Sequence, residues 1–187
     1  MNKFLDKLIR YFRVKKILPH ITKDKTRILD LGCGPRPWFF DLDLSHLKNK
    51  EIVAVDKVEY KYPQDVSFQF ITSDVENSLP FPNDSFDLIT ALALIEHLKK
   101  YQNFLEEVFR ILKPGGYFIL TTPSPLAKPV LEFLAFKLHI IDEDSIADHK
   151  YYFDKNELKI LLSNVGFKII DIKSFEFGFN IFIKATK

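Results

Sequence analysis

The residues whose types and spacing can do chemistry begin at Arg27 to Pro35. Ile28, Leu29 and Leu31 form a short apolar run, broken only by Asp30, that ends in Gly32-Cys33-Gly34. This pattern reads as a buried strand feeding a tight turn. Without a Cβ, Gly32 and Gly34 can take positive φ and let a ligand approach the main chain at Cys33. A second apolar run, Glu51 to Val55, ends in Asp56. That acid stands about 20 residues beyond the glycines, the spacing at which a nucleotide-binding βαβ unit sets a carboxylate under two ribose hydroxyls. A third run, Phe68 to Ser73, again ends in an acid, Asp74, followed by Val75.

A dinucleotide fingerprint, Gly-x-Gly-x-x-Gly, is the obvious rival and fails. Gly32-Cys-Gly-Pro-Arg-Pro37 puts proline where the third glycine belongs, the one that lets helix and strand pack closely beneath a pyrophosphate. Asp30 suits an ammonium or sulfonium better than a diphosphate, because opposite charges attract strongly where water is excluded. Together the two features point to a cationic nucleoside.

Asp30-Leu-Gly-Cys-Gly34 resembles the first motif of class I S-adenosylmethionine-dependent methyltransferases, of the small-molecule, type 11-like kind. The resemblance continues through Val53-Ala-Val-Asp56, Ser73-Asp74-Val75, Leu79-Pro-Phe-Pro-Asn-Asp-Ser-Phe-Asp-Leu-Ile89 and Leu112-Lys-Pro-Gly-Gly-Tyr-Phe118. It is close over residues 26–122 and looser beyond. One departure is Arg36, which stands where the family's pattern carries its last glycine. The resemblance implies S-adenosylmethionine as cofactor, with Asp74 accepting from the adenine amino group and the Val75 backbone beside the ring. It also implies a Rossmann-like, doubly wound α/β fold, a mostly parallel seven-stranded sheet with an antiparallel last strand and helices on both faces.

The elements that must position these groups follow in chain order. Residues 1–21 carry Phe4, Leu5, Leu8, Ile9 and Phe12 at helical spacing among Lys3, Lys7, Arg10, Arg13, Lys15 and Lys16, which predicts a basic amphipathic helix. Such a helix either packs on the domain or serves as a lid or a foot on an anionic membrane surface. Residues 38–48 are expected as the first crossover helix, and Leu88 to Leu94 as a central strand. Glu96 and His97 follow at the rim of the cleft. A helix then runs to Leu112 and ends at Lys113-Pro-Gly-Gly, with Tyr117 to Thr121 as the fifth strand. Residues 123–150 are read as a helical insert or lid, with Val130 to Ile141 apolar on nearly every side. His149-Lys-Tyr-Tyr-Phe153 resembles the histidine and aromatics that small-molecule methyltransferases carry just ahead of the helix expected over residues 154–164, which implies His149 as the candidate base for an acceptor hydroxyl, since imidazole titrates near neutral pH. Residues 167–175 and 177–185 alternate as a terminal hairpin around Gly178.

Composition sets the outer bounds. A chain of 187 residues, 47% hydrophobic, suits a single α/β domain over residues 1–187. One cysteine, Cys33, excludes an intramolecular disulfide and fits a reducing cytoplasm, the expected location. A net charge of +2 does not mark a nucleic-acid binder, and no apolar run approaches a membrane span. The acids Asp142, Glu143, Asp144 and Asp148 beside His139 and His149 match no recognised metal spacing, so no metal is expected. Cytosine-5 chemistry is excluded because the only thiol lies in the glycine loop. An Asn-Pro-Pro-Tyr signature is absent after the fourth strand, where Ala91-Leu-Ala-Leu94 stands. The expectation is methyl transfer by in-line displacement to a small-molecule acceptor with an apolar part. The alternative is a non-catalytic protein of the same fold, one that binds the cofactor or a partner and contacts a membrane through its N-terminal helix.

Overall fold

The computed structural model describes residues 4–22, 24, 26–41, 47–62 and 68–187, with side chains of the first helix from Leu8 onward. The elements are α1 (Phe4–Ile17), β1 (Arg27–Leu31), β2 (Glu51–Asp56), β3 (Gln69–Thr72), β4 (Phe86–Leu92), α2 (Tyr101–Ile111) and β5 (Leu112–Pro123). They continue with α3 (Ala127–Phe136), α4 (Glu143–Ala147), α5 (Lys155–Val165), β6 (Lys168–Phe175) and β7 (Asn180–Thr186). Seven strands form one sheet in the order β3-β2-β1-β4-β5-β7-β6. β1 to β5 pair in parallel, and β7 runs antiparallel to both of its neighbours. The doubly wound sheet with one reversed strand is therefore present.

Strand alternation divides the core in two. Leu29, Leu31, Val53, Val55, Ile89 and Ala91 face α2 and α5, which contribute Leu105, Val108, Ile111, Leu158 and Leu162. Ile28, Ile52, Ala54 and Leu88 face the other way, onto Val14 and Ile17 of α1 and onto Trp38 and Phe39. Burial on both faces explains why the central strands read as continuous apolar runs. Asp154 caps α5, accepting from the backbone N–H of Asn156 and Glu157, while Glu157 reaches back to the Asp154 N–H, a complete capping box.

Several boundaries differ from the sequence reading. Within the expected helix 38–48, Trp38–Asp41 is a single 3₁₀ turn, and residues 42–46 lie outside the described residues. Pro35 and Pro37 remove donors just before it, and the Trp38 and Phe39 rings fill the space against the sheet. No turn separates α2 from β5. The chain goes extended at Leu112, so β5 begins five residues before Tyr117, with Gly115 at φ 74°. The apolar helix of the insert is α3, starting at Ala127 and ending before His139. Pro129 falls in its first turn, where its missing N–H has no intrahelical partner to lose. That helix is not enclosed on every side, since Val130, Phe133 and Phe136 are exposed, as are Leu138 and Ile140 beyond its end.

Asp30 shares strand parity with Ile28, so it points into the Trp38 side of the core and is buried. It sits opposite Thr90 in the register, accepts the Thr90 hydroxyl at 2.9 Å and is bonded by the Trp38 backbone. The Trp38 indole N–H donates to the same Thr90 oxygen at 2.9 Å. Burial pushes the Asp30 carboxyl up to about 7, against the lowering effect of the Thr90 bond and of the Arg10 charge. The folded state thus holds a proton that the unfolded chain releases above about pH 4. Stability from this group is greatest at low pH and declines as pH rises from about 4 to about 7. Asp30→Asn keeps the shape without the ionisation. Urea unfolding should show the variant gaining on the wild type between pH 4 and pH 8 by up to about 4 kcal/mol; a difference that does not change with pH would refute the assignment.

Candidate active site

The glycine loop is fixed from below by β2. The backbone N–H groups of Gly32 and Cys33 both donate to the Val55 carbonyl, at 2.9 and 3.2 Å, and this holds the turn against the carboxyl end of its neighbour. Gly32 and Gly34 take φ of 65° and 62°, the left-handed region that glycine alone enters cheaply. A Cβ on Gly32 would stand 2.5 Å from Leu94 Cδ1, so position 32 admits no side chain unless that leucine moves. Gly34 N–H donates to Asp56 Oδ2 at 2.9 Å, and Val58 N–H to Oδ1 at 3.0 Å. The Asp56 carboxylate is held from two sides at the tip of β2.

A cleft of about 360 Å³ opens beside this turn. It brings together five of the residues expected from sequence: Gly32, Gly34, Asp56, Asp74 and Val75. Asp74 follows β3, its Oδ1 accepting from Glu76 N–H at 3.0 Å. Leu94, Leu98 and His97 complete the far wall, with Asp148 from the end of α4. Asp30 and Cys33 do not line it. Asp30 is turned away by strand parity, and Cys33 is buried beneath the loop, its thiol 3.5 Å from the Tyr62 hydroxyl and pushed up to about 12 by burial and then by the charge of Asp30. Arg36, the departure from the glycine pattern, stays outside the cleft because it pairs with Asp41 at 2.8 Å.

Tyr62 escaped the sequence reading. Its hydroxyl donates to the Gly34 carbonyl at 2.7 Å, bracing the loop from the side opposite Asp56. No pattern marks it, since it lies in an irregular segment and meets the loop through an aromatic cluster with Phe40, Phe68 and Phe70.

Behind the cleft lies a second hollow of about 150 Å³, lined by Arg13, Glu96, His97, Ile141 and His149. It shares Ala93, His97 and Ser145 with the first. Glu96 is placed by the 3₁₀ turn Ile95–His97 and is fully buried. Its Oε2 accepts from the Thr122 hydroxyl at 3.0 Å, and burial raises its pKa. His97 Nδ1 lies 3.1 Å from Asp148 Oδ2, and His149 Nδ1 lies 2.9 Å from the Tyr152 hydroxyl. Burial first, then the charges of His97 and Arg13, lower His149 to about 4. His149 is thus neutral at physiological pH, and a base of that strength is weak, contrary to the near-neutral titration expected from its type.

A third, almost wholly apolar groove of about 250 Å³ continues from the hollow between α1 and α3. Leu8, Phe12, Val130, Leu134 and Phe177 line it, and it shares Ile9, Arg13 and Leu131 with the hollow. Two basic residues of α1 bond to the domain, Arg10 pairing with Asp41 at 2.6 Å and Arg13, on the groove wall, donating to Asn180 at 3.2 Å.

Residues 1–172 match the family model described as a methyltransferase domain. A demethylmenaquinone methyltransferase of Staphylococcus saprophyticus is 27% identical over 83% of this chain and 76% of that one. One from Lactococcus lactis is 31% identical over 60% of this chain and 47% of its own length. A ubiquinone/menaquinone biosynthesis C-methyltransferase of Salmonella arizonae is 26% identical over 70% of this chain and 53% of that one. The chain therefore spans about half the length of the last two relatives. The crystal structure of an S-adenosylmethionine-dependent methyltransferase from Mesorhizobium loti superposes with a TM-score of 0.69 at 17% identity, over 94% of this chain and 98% of that one. Another from Archaeoglobus fulgidus gives 0.69 at 19% identity, over 97% and 94%. The chain belongs to this methyltransferase-domain family, with the class I fold whose cofactor is S-adenosylmethionine.

Proposed function

We propose that the chain transfers a methyl group from S-adenosylmethionine to a small-molecule acceptor with an extended apolar part. The observation that carries this reading is the continuity of three cavities through shared walls, from an acid-lined cleft to a polar hollow to an apolar groove. In the cleft, Asp56 stands where ribose hydroxyls are held in open parallel sheets, and its charge strengthens bonds it accepts. Asp74 and the Val75 backbone take the adenine, and the Gly32–Gly34 loop takes the amino-acid portion. Asp56, Asp74, Glu76 and Asp148 make the cleft predominantly acidic, which favours a ligand carrying ammonium and sulfonium charges.

S-adenosylmethionine supplies an already activated methyl, so transfer is an in-line displacement that needs an acceptor lone pair at close range. The residues supply orientation, worth up to roughly 7 to 11 kcal/mol when reacting atoms are well aligned. His97 and Ala93, common to cleft and hollow, mark where the two reactants meet. The acceptor's reacting head lies in the hollow beside Glu96 and His149, with Arg13 at the threshold of the groove. Its apolar part lies between α1 and α3. Relatives named as a demethylmenaquinone methyltransferase and as a ubiquinone/menaquinone biosynthesis C-methyltransferase support a small-molecule acceptor here. The exposed side chains Leu8, Phe12, Val130 and Phe177 on the groove wall favour uptake of such an acceptor from an apolar phase.

Two measurements test the reading. Calorimetric titration of S-adenosylmethionine and S-adenosylhomocysteine should show Asp56→Ala weakening both by ~10- to 150-fold, the ~1.5 to 3 kcal/mol of a hydrogen bond to a charged group. Unchanged affinity would remove Asp56 from the site, and no binding to the wild type would remove the enzyme reading. Leu134→Asn places an amide in the groove, outside the lining of the cleft. With quinols differing only in side-chain length, it should raise KM for the long-chain acceptor and leave both the short-chain acceptor and cofactor affinity within about threefold, because the buried apolar area lost scales with chain length. Equal effects on both acceptors would separate the groove from acceptor binding.

A further inference from the structure

Glu96, His97 and His149 converge on the hollow from two parts of the chain. Each offers one ligating atom, and the three atoms lie within 4.8 Å of one another. The histidines are held as metal-ligating histidines are held, with one nitrogen engaged by an oxygen that fixes ring orientation and tautomer. For His97 that oxygen is Asp148 Oδ2, and for His149 it is the Tyr152 hydroxyl, each at Nδ1. This leaves Nε2 of each ring for a ligand. A second observation is independent of the cluster itself: Glu96 is fully buried, only its Oε2 has a partner, and Oε1 has none among the described residues. An unpartnered buried carboxylate oxygen is costly, and a bound group removes that cost.

We propose that Glu96, His97 and His149 bind a divalent first-row transition ion, Zn²⁺ by preference, in the hollow. Two imidazoles and one carboxylate form a donor set that suits zinc and its neighbours, whereas magnesium and calcium favour oxygen ligands. Ligand atoms at 2.0 to 2.1 Å from zinc stand roughly 3.4 Å apart, so the cluster closes slightly on binding, a movement the half-buried His97 ring can make. Arg13 opposes a cation here, while Asp142 on the wall of the hollow and Asp148 behind His97 favour one. Three protein ligands leave a coordination position open toward the hollow. That position takes an oxygen of the acceptor, whose hydroxyl proton leaves to solvent as the oxygen coordinates. This role rests on the proposed function, but the site does not.

The full-length protein, freed of metal, is titrated with Zn²⁺ alone and with Co²⁺ alone, without cofactor or acceptor. One equivalent should bind, and Co²⁺ should give the intense visible absorption of a four- or five-coordinate site. Glu96→Gln, His97→Ala and His149→Ala should each weaken Zn²⁺ at least ~10-fold, and Asp148→Asn, which removes only the outer bond to His97, by ~10-fold as well. Circular dichroism establishes that each variant folds, and should the buried Glu96→Gln fail, the half-buried His97→Ala carries the comparison. Absence of stoichiometric binding, or binding equal in wild type and His97→Ala, overturns the proposal. S-adenosylmethionine titration of the same metal-free sample reads the proposed function separately, so the two can fail independently.

Discussion

Everything at the site depends on how the loop after β1 is tied to the end of β2. Two N–H groups share the Val55 carbonyl, and a third reaches the Asp56 carboxylate at 2.9 Å. A chain leaving a parallel strand has no sheet partner for its next donors, and buried donors must be paired. Here the neighbouring strand supplies the acceptors for all three donors, the Val55 carbonyl and the Asp56 carboxylate. The turn and the acid are thereby one rigid unit, and Tyr62 closes it from the other side through the Gly34 carbonyl. Positive φ at two glycines is the geometric consequence, and Leu94 packed against Gly32 leaves no room for any alternative.

That unit was legible in the sequence because each of its parts is local. The glycines announce a turn, the apolar run announces a buried strand, and an acid at the strand's end sits where parallel sheets expose their edges. Asp74 and Val75 were legible for the same reason. Asp30 was assigned to the ligand from its charge and Cys33 from its place in the glycine loop, but position in a strand fixes the face as well as the place. Asp30 shares its face with Ile28, so it meets Thr90 and the bond from Trp38, and Cys33 is drawn under the loop. Over residues 38–41 the expected helix is a 3₁₀ turn, since aromatic residues after two prolines plug the sheet directly.

The hollow and the groove were beyond reach of any local pattern. Their walls come from α1, from the turn after β4 and from α3, which meet only when the sheet is assembled. The sequence showed α1 as a basic amphipathic helix and left open whether it packs or reaches outward. In the structure Val14 and Ile17 are core, and Arg10 and Arg13 bond to the domain, so the helix packs. It nevertheless lends Leu8, Ile9 and Phe12 to the groove, and packing and function turn out to be two faces of the same element.

Two buried acids, Asp30 and Glu96, illustrate how structural and functional burial differ. Both are nearly or fully excluded from solvent, and burial raises both carboxyls. Asp30 lies in closed core, and its proton can be kept or lost without any ligand being involved. Glu96 has the same desolvation but faces a cavity, with one oxygen bonded to Thr122 and the other unpartnered among the described residues. A core that only needed to be stable would do better with an apolar residue at that position, because a half-satisfied polar group is worse than none. The cost is one that a bound group in the hollow offsets, and the backbone of Glu96 is fixed beside it. Its carbonyl accepts from both Lys150 and Tyr151, on either side of which His149 and Tyr152 stand, so the acid and the histidine, 53 positions apart along the chain, are locked into one frame.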